Sequence, residues 1–139
     1  MLEAGHYYTL KVVKHVDFGC YLDADGDEVL LPKRFVPKGT KDGDEISVFL
    51  YHDSESRLIA TTQKPKAAVG EIALLKVVNI TEHGAFMEWG IMKDLFVPLS
   101  QQTSRMYAGE SYLVMPFVDK QTGRVAGTER FEKLLSNEE

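Results

Sequence analysis

The chain has 139 residues, the size of one ordinary domain or two very small ones, and its 44% hydrophobic and 27% charged residues exclude intrinsic disorder. No apolar run approaches the roughly 20 residues of a membrane helix, and Met1-Leu2-Glu3-Ala4-Gly5 has neither the basic start nor the apolar stretch of a signal peptide, so a cytoplasmic location is expected. Cys20 is the single cysteine, which rules out an intramolecular disulfide and a zinc–thiolate cluster, and the net charge of −5 predicts modest affinity for any nucleic acid.

Taken in chain order, the pattern is of short strands separated by turn residues. In the first half, strands are expected near 7–16, 19–23, 28–32, 45–51 and 57–62. Asp25-Gly26 signals a hairpin turn and Lys41-Asp42-Gly43-Asp44 a loop. Gln63-Lys64-Pro65-Lys66-Ala67 then interrupts the pattern. In the second half, strands are expected near 72–80, 85–89, 94–98, 111–118 and 124–128, with a turn at Thr122-Gly123. A short helix over 129–135 would place Phe131, Leu134 and Leu135 on one face.

The halves repeat one another. Leu10-Lys11-Val12-Val13 recurs as Leu75-Lys76-Val77-Val78, and Gly19-Cys20-Tyr21-Leu22-Asp23 falls on Gly84-Ala85-Phe86-Met87-Glu88. After one residue of slippage Leu30-Leu31-Pro32 meets Phe96-Val97-Pro98, and Gly43-Asp44 meets Gly109-Glu110. Arg57-Leu58-Ile59-Ala60-Thr61 finally meets Arg124-Val125-Ala126-Gly127-Thr128. Matches that keep their order through a whole half indicate a duplication. The expected domains are 1–64 and 67–139, each all-β, with a long connection after the third strand. That order fits two tandem five-stranded Greek-key barrels of the OB type.

Strand alternation sorts the second strand of each copy. Cys20 and Leu22, like Ala85 and Met87, are expected to face the core, which leaves Tyr21 and Phe86 outside. Rings outside a barrel are not needed for folding, and OB-type proteins use such rings to stack bases. Around Phe18 and Tyr21 the first copy offers Lys14, Lys33, Arg34 and Arg57 as partners for phosphate. Around His83 and Phe86 the second copy offers Lys93 and Arg124, with Glu82 and Glu88 close by in sequence. The cationic balance favours the first copy. Asp53 and Arg57 are alternatively a structural pair across a turn.

Catalytic patterns are absent. His6, His15, His52 and His83 show no ligand spacing and no paired carboxylates, so neither a metal nor another cofactor is expected. The run from Asp23 to Glu28 imitates a calcium loop but has Glu28 at the sixth position and Arg34 at the twelfth. The expected role is binding, not catalysis.

The second half resembles the RNA-binding repeat named after ribosomal protein S1. Its aromatic-Gly turn is matched by His83-Gly84-Ala85-Phe86, and by Phe18-Gly19-Cys20-Tyr21 in the first copy. The end of its third strand is matched by Phe96-Val97-Pro98-Leu99-Ser100 and Leu30-Leu31-Pro32-Lys33-Arg34, with Pro32 and Pro98 where such repeats often carry histidine. Its closing Asp and Arg are matched by Asp53 with Arg57 and Asp119 with Arg124. The tandem arrangement, with Leu30 through Pro37, Leu58 through Thr62 and Lys93 through Pro98, resembles the N-terminal two-repeat portion of the conserved virulence factor B family. That resemblance implies a bacterial, cytoplasmic regulator that binds single-stranded RNA, with further C-terminal domains or another protein as partners. The rival expectation is a protein-interaction or spacer module that positions a separate nucleic-acid-binding domain.

Overall fold

The protein is described by a computed structural model covering residues 2–132. The chain divides into two compact units, Met1–Lys64 and Pro65–Glu139. In the first, β1 (Tyr7–Val16), β2 (Gly19–Ala24), β3 (Asp27–Pro32), β4 (Glu45–His52) and β5 (Leu58–Thr61) close into a barrel in the order β1-β2-β3-β5-β4. In the second, β6 (Ala73–Thr81), β7 (Gly84–Met87), β8 (Leu95–Pro98), β9 (Ser111–Val118) and β10 (Val125–Thr128) form a five-stranded sheet in the order β10-β9-β6-β7-β8. Allowing for the closing ladder, these are the same topology, that of the OB-type barrel. A single-turn 3-10 helix follows the third strand in each copy, at Lys33–Phe35 and Leu99–Gln101. Of the helix expected over 129–135, Glu129 and Arg130 are not helical, Phe131 and Glu132 are, and 133–135 lie outside the described residues.

Side-chain alternation builds the core. Leu10, Val12, Leu22, Val29, Leu31, Ile46, Val48 and Leu50 fill the first barrel, with Cys20 and Ala60 beside them. Leu75, Val77, Ala85, Met87, Leu95, Val97 and Val114 are buried at the corresponding places of the second. Each large aliphatic residue fully withdrawn from water contributes about 1.5–3 kcal/mol. Burial of Cys20, with the Asp42 charge nearby, pushes its thiol above the ordinary range, so it behaves as a small core residue.

Both first strands carry a bulge at the same place. Val12 pairs with Leu22, but Lys14 pairs with Tyr21, which leaves Val13 as the extra residue. Val77 likewise pairs with Met87 and Asn79 with Phe86. Such a bulge bends the strand and increases its twist, as a small closed sheet requires. Gly19 and Gly84, which open the second strands, have no room for a side chain. A Cβ there would run into the backbone carbonyl of Leu31 in one copy and of Val97 in the other.

Barrel closure differs between the copies. In the first, β3 and β5 meet through a parallel bridge at Leu30 and Ile59. In the second, β10 lies against β8 without a bridge among the described residues, and Gly127 sits over the Leu95 and Val97 side chains. Buried Thr61 and Thr128 end the last strands alike. The Thr61 hydroxyl accepts the Gln63 N–H (3.0 Å), and that of Thr128 accepts the Arg130 N–H (2.8 Å).

Candidate nucleic-acid interface

The outer face of β2 and β3 in the first unit gathers most of the residues singled out from the sequence. Tyr21 lies between Lys14 of β1 and Leu30 of β3 in the pairing register. The Lys14 ammonium stands 5.3 Å from the centre of the Tyr21 ring, and it also reaches Glu28 at 3.6 Å. Phe18, in the turn between β1 and β2, is 56% exposed and meets Tyr21 edge to face at 6.3 Å between centroids. One ring therefore presents a free face to solvent, while the other is partly covered by a cation.

The backbone ties the turn that carries two further cations to the turn of Phe18. The Lys33 N–H donates to the Phe18 carbonyl at 2.9 Å, so the 3-10 turn after β3 is tied to the turn that carries Phe18. Lys33 and Arg34 are both exposed on that turn, and the Arg34 guanidinium lies 5.2 Å from the centre of the Phe35 ring. Arg34 is also near enough to Tyr51 to oppose the upward shift that burial and the Asp53 charge impose on that phenol.

Arg57 is differently placed. Its guanidinium meets the Asp53 carboxylate at 3.1 Å and Glu55 at 3.4 Å, so its charge is shared with two acids. Asp53 Oδ1 accepts the backbone N–H groups of Glu55 and Arg57, both at 2.9 Å. Burial raises the Asp53 carboxyl, but these backbone N–H groups and the Arg57 guanidinium outweigh it and hold the carboxyl below its usual value. The alternative reading of Asp53 and Arg57 as a structural pair describes what the turn contains.

The second unit keeps the frame and loses the cations. The Leu99 N–H donates to the His83 carbonyl at 3.1 Å, the counterpart of the bond between Lys33 and Phe18. Leu99 and Ser100 thus occupy the places of Lys33 and Arg34. Phe86 is half-buried and packs on Phe96 of β8 at 4.9 Å between centroids. Phe96 was not singled out from the sequence, although its position between the core residues Leu95 and Val97 signals the outer face. His83 is exposed and lies 3.5 Å from Glu82. Lys93 is half-buried in the segment between β7 and β8, and Arg124 is exposed just before β10. No group of three His, Cys, Asp or Glu side chains suited to a metal occurs among the described residues. No described helix is long and apolar enough to cross a membrane.

Two small β-barrels of one topology define an OB-type architecture. Residues 4–63 match the S1 domain family. The uncharacterized protein YitL of Bacillus subtilis (strain 168) is 32% identical over 97 residues, which are 69% of this chain and 33% of that protein. The crystal structure of a multidomain protein with nucleic acid binding domains from Streptococcus pneumoniae TIGR4 is similar in fold over 94% of this chain and 48% of its own, with a TM-score of 0.78 and 21% identity. The chain spans about a third of the length of the first protein and about half of the second.

Proposed function

We propose that the chain is an RNA-binding module that takes single-stranded RNA with low sequence specificity on the outer face of β2 and β3 of the first unit. The observation that supports this reading is the edge-to-face pair of Phe18 and Tyr21 with Lys14 over the Tyr21 ring, at the turn to which the backbone of exposed Lys33 and Arg34 is tied. Exposed rings stack on any base, and flanking cations hold the phosphates between them. The S1 domain match over residues 4–63 supports the reading, as does the fold shared with a protein that has nucleic acid binding domains. In this reading Phe18 is the first stacking ring. Tyr21 serves as the second once a phosphate draws Lys14 from its face. The parent protein is then a bacterial post-transcriptional or virulence-type regulator.

Titration of a fluorescent oligouridine and an oligoadenine, followed by anisotropy at several salt concentrations, tests this directly. The expected result is binding to both oligomers that weakens as salt rises, because neutralised phosphates release counterions. Arg34→Ala and Tyr21→Ala should each weaken it. Absence of binding at low salt would overturn the reading. A protein-interaction or spacer role would then be preferred, and the second unit already favours it locally, with Leu99 and Ser100 in place of the cations.

A further inference from the structure

We propose that the mouth of the second barrel is a nucleotide pocket, which takes one nucleotide with its base against Ile80, Leu99 and Met106 and its phosphate at Arg105. The proposal rests on the geometry of the second unit alone and goes beyond the RNA face of the first.

The comparison of the two copies carries it. In the first, the end of β1 is tied to the loop before β4 by His15 Nδ1 and Asp42 Oδ1 at 2.6 Å. The same positions of the second copy are Ile80 and Ala108, which have no polar group with which to make that tie. The surrounding backbone is unchanged. The Gly43 N–H donates to the Val12 carbonyl at 2.8 Å, and the Gly109 N–H to the Val77 carbonyl at 2.8 Å. In the second copy Ile80 lines a cleft of about 460 Å³ together with Leu99 and the segment from Gln102 to Met106.

The size lies within the range of small-ligand pockets, roughly 300–1,000 Å³. Its wall is mixed: Ile80 and Leu99, 43% and 57% exposed, supply apolar surface with Met106 behind them, and Thr81, Gln102, Thr103 and Ser104 supply hydroxyl and amide groups. The apolar part suits the face of a base, and the hydroxyl and amide groups beside it suit the base's hydrogen-bonding edge. Arg105 is the single cation of the lining, and its guanidinium lies 5.6 Å from the centre of the Tyr107 ring. No carboxylate pairs with Arg105 among the described residues, and Glu82, the acid of the lining, is 3.5 Å from His83. A ligand with one anionic group and one flat apolar body satisfies both halves of the cleft.

The test is an amide-resolved NMR titration of the full chain with adenosine 5′-monophosphate, repeated with inorganic phosphate. Saturable shifts are expected at Gly84, Leu99 and Thr103 through Met106, with a Kd on the order of 1 mM. Arg105→Ala should weaken binding severalfold. Ile80→His combined with Ala108→Asp, which restores the tie of the first copy, should abolish it. Should that double variant lose its fold, Arg105→Ala decides alone. No saturable shift of these amides, or shifts that inorganic phosphate reproduces in full, would overturn the proposal. Oligouridine binding by the unaltered chain reports separately on the first unit. Its absence at low salt alongside intact cleft shifts would sink the RNA reading and leave this one standing.

Discussion

At Tyr21 a half-buried ring faces outward on a strand whose inner neighbours, Cys20 and Leu22, are fully buried. Its removal therefore takes little from the core and much from the outer face. Tyr21→Ala is expected to cost about 1–3 kcal/mol of binding to a single-stranded oligomer, the usual worth of one stacked base. The thermal midpoint should fall by only a few degrees, since an outer residue fills no core space. Anisotropy and a melting curve on one preparation check both halves of that statement. The outward placement of Tyr21 and Phe86 was legible from period-two alternation, because a strand has only two faces. The attachment of Lys14 to the Tyr21 ring was not legible. It depends on the bulge at Val13, which shifts the pairing by one residue and brings Lys14 opposite Tyr21.

At the scale of elements, turns show the strongest local determination. Gly19 opens β2 directly against β3, where a Cβ would meet the Leu31 carbonyl and the Lys33 nitrogen, both of them backbone atoms that cannot rotate away. Gly19→Ala is therefore expected to destabilise the first unit by about 1–3 kcal/mol, the range for backbone forced from its place. Chemical denaturation should read this as a lower midpoint, and Gly84→Ala should repeat it in the second copy. The turn from β4 to β5 gives a pH-dependent case. Asp53 has its carboxyl held below the ordinary value of 3.8, so its contribution is present above that pH and is lost as the pH falls through the lower native value. Asp53→Asn should cost about 1 kcal/mol near neutrality, in line with hydrogen bonds to a charged acceptor. The difference between Asp53→Asn and the native chain should begin to shrink below about pH 4, as the unfolded chain's carboxyl takes up its proton, and should vanish only below the depressed native value. Stability curves at pH 7 and pH 3 measure it. Asp-to-Arg spacing marked this turn in the sequence, but the second acid on Arg57, Glu55, became visible only once the turn was closed.

Over the whole molecule, the duplication has kept its frame and divided its chemistry. Equivalent bulges, equivalent glycines and equivalent backbone bonds recur in both units, while Lys33-Arg34 stands against Leu99-Ser100. Lys33→Leu with Arg34→Ser, which gives the first copy the residues of the second, should remove up to two phosphate contacts. The slope of log affinity against log salt should then fall by up to about 1.4, at roughly 0.7 per contact for a single strand. An unchanged slope would show that these cations do not touch the backbone of the ligand. The strands, the repeat and the buried set follow from the order of residues, because alternation, turn residues and apolar runs are local properties of the chain. That order also marked most of the outer-face residues as candidates. Only the tertiary structure decided which of them act together. A ring, a cation and a carboxylate from different strands meet through register and loop path, and those depend on pairing between distant residues. That is why Lys14 and Phe18 meet at Tyr21, why Arg57 is held by Asp53 and Glu55, and why His15 meets Asp42 in one copy while Ile80 lines a cleft in the other.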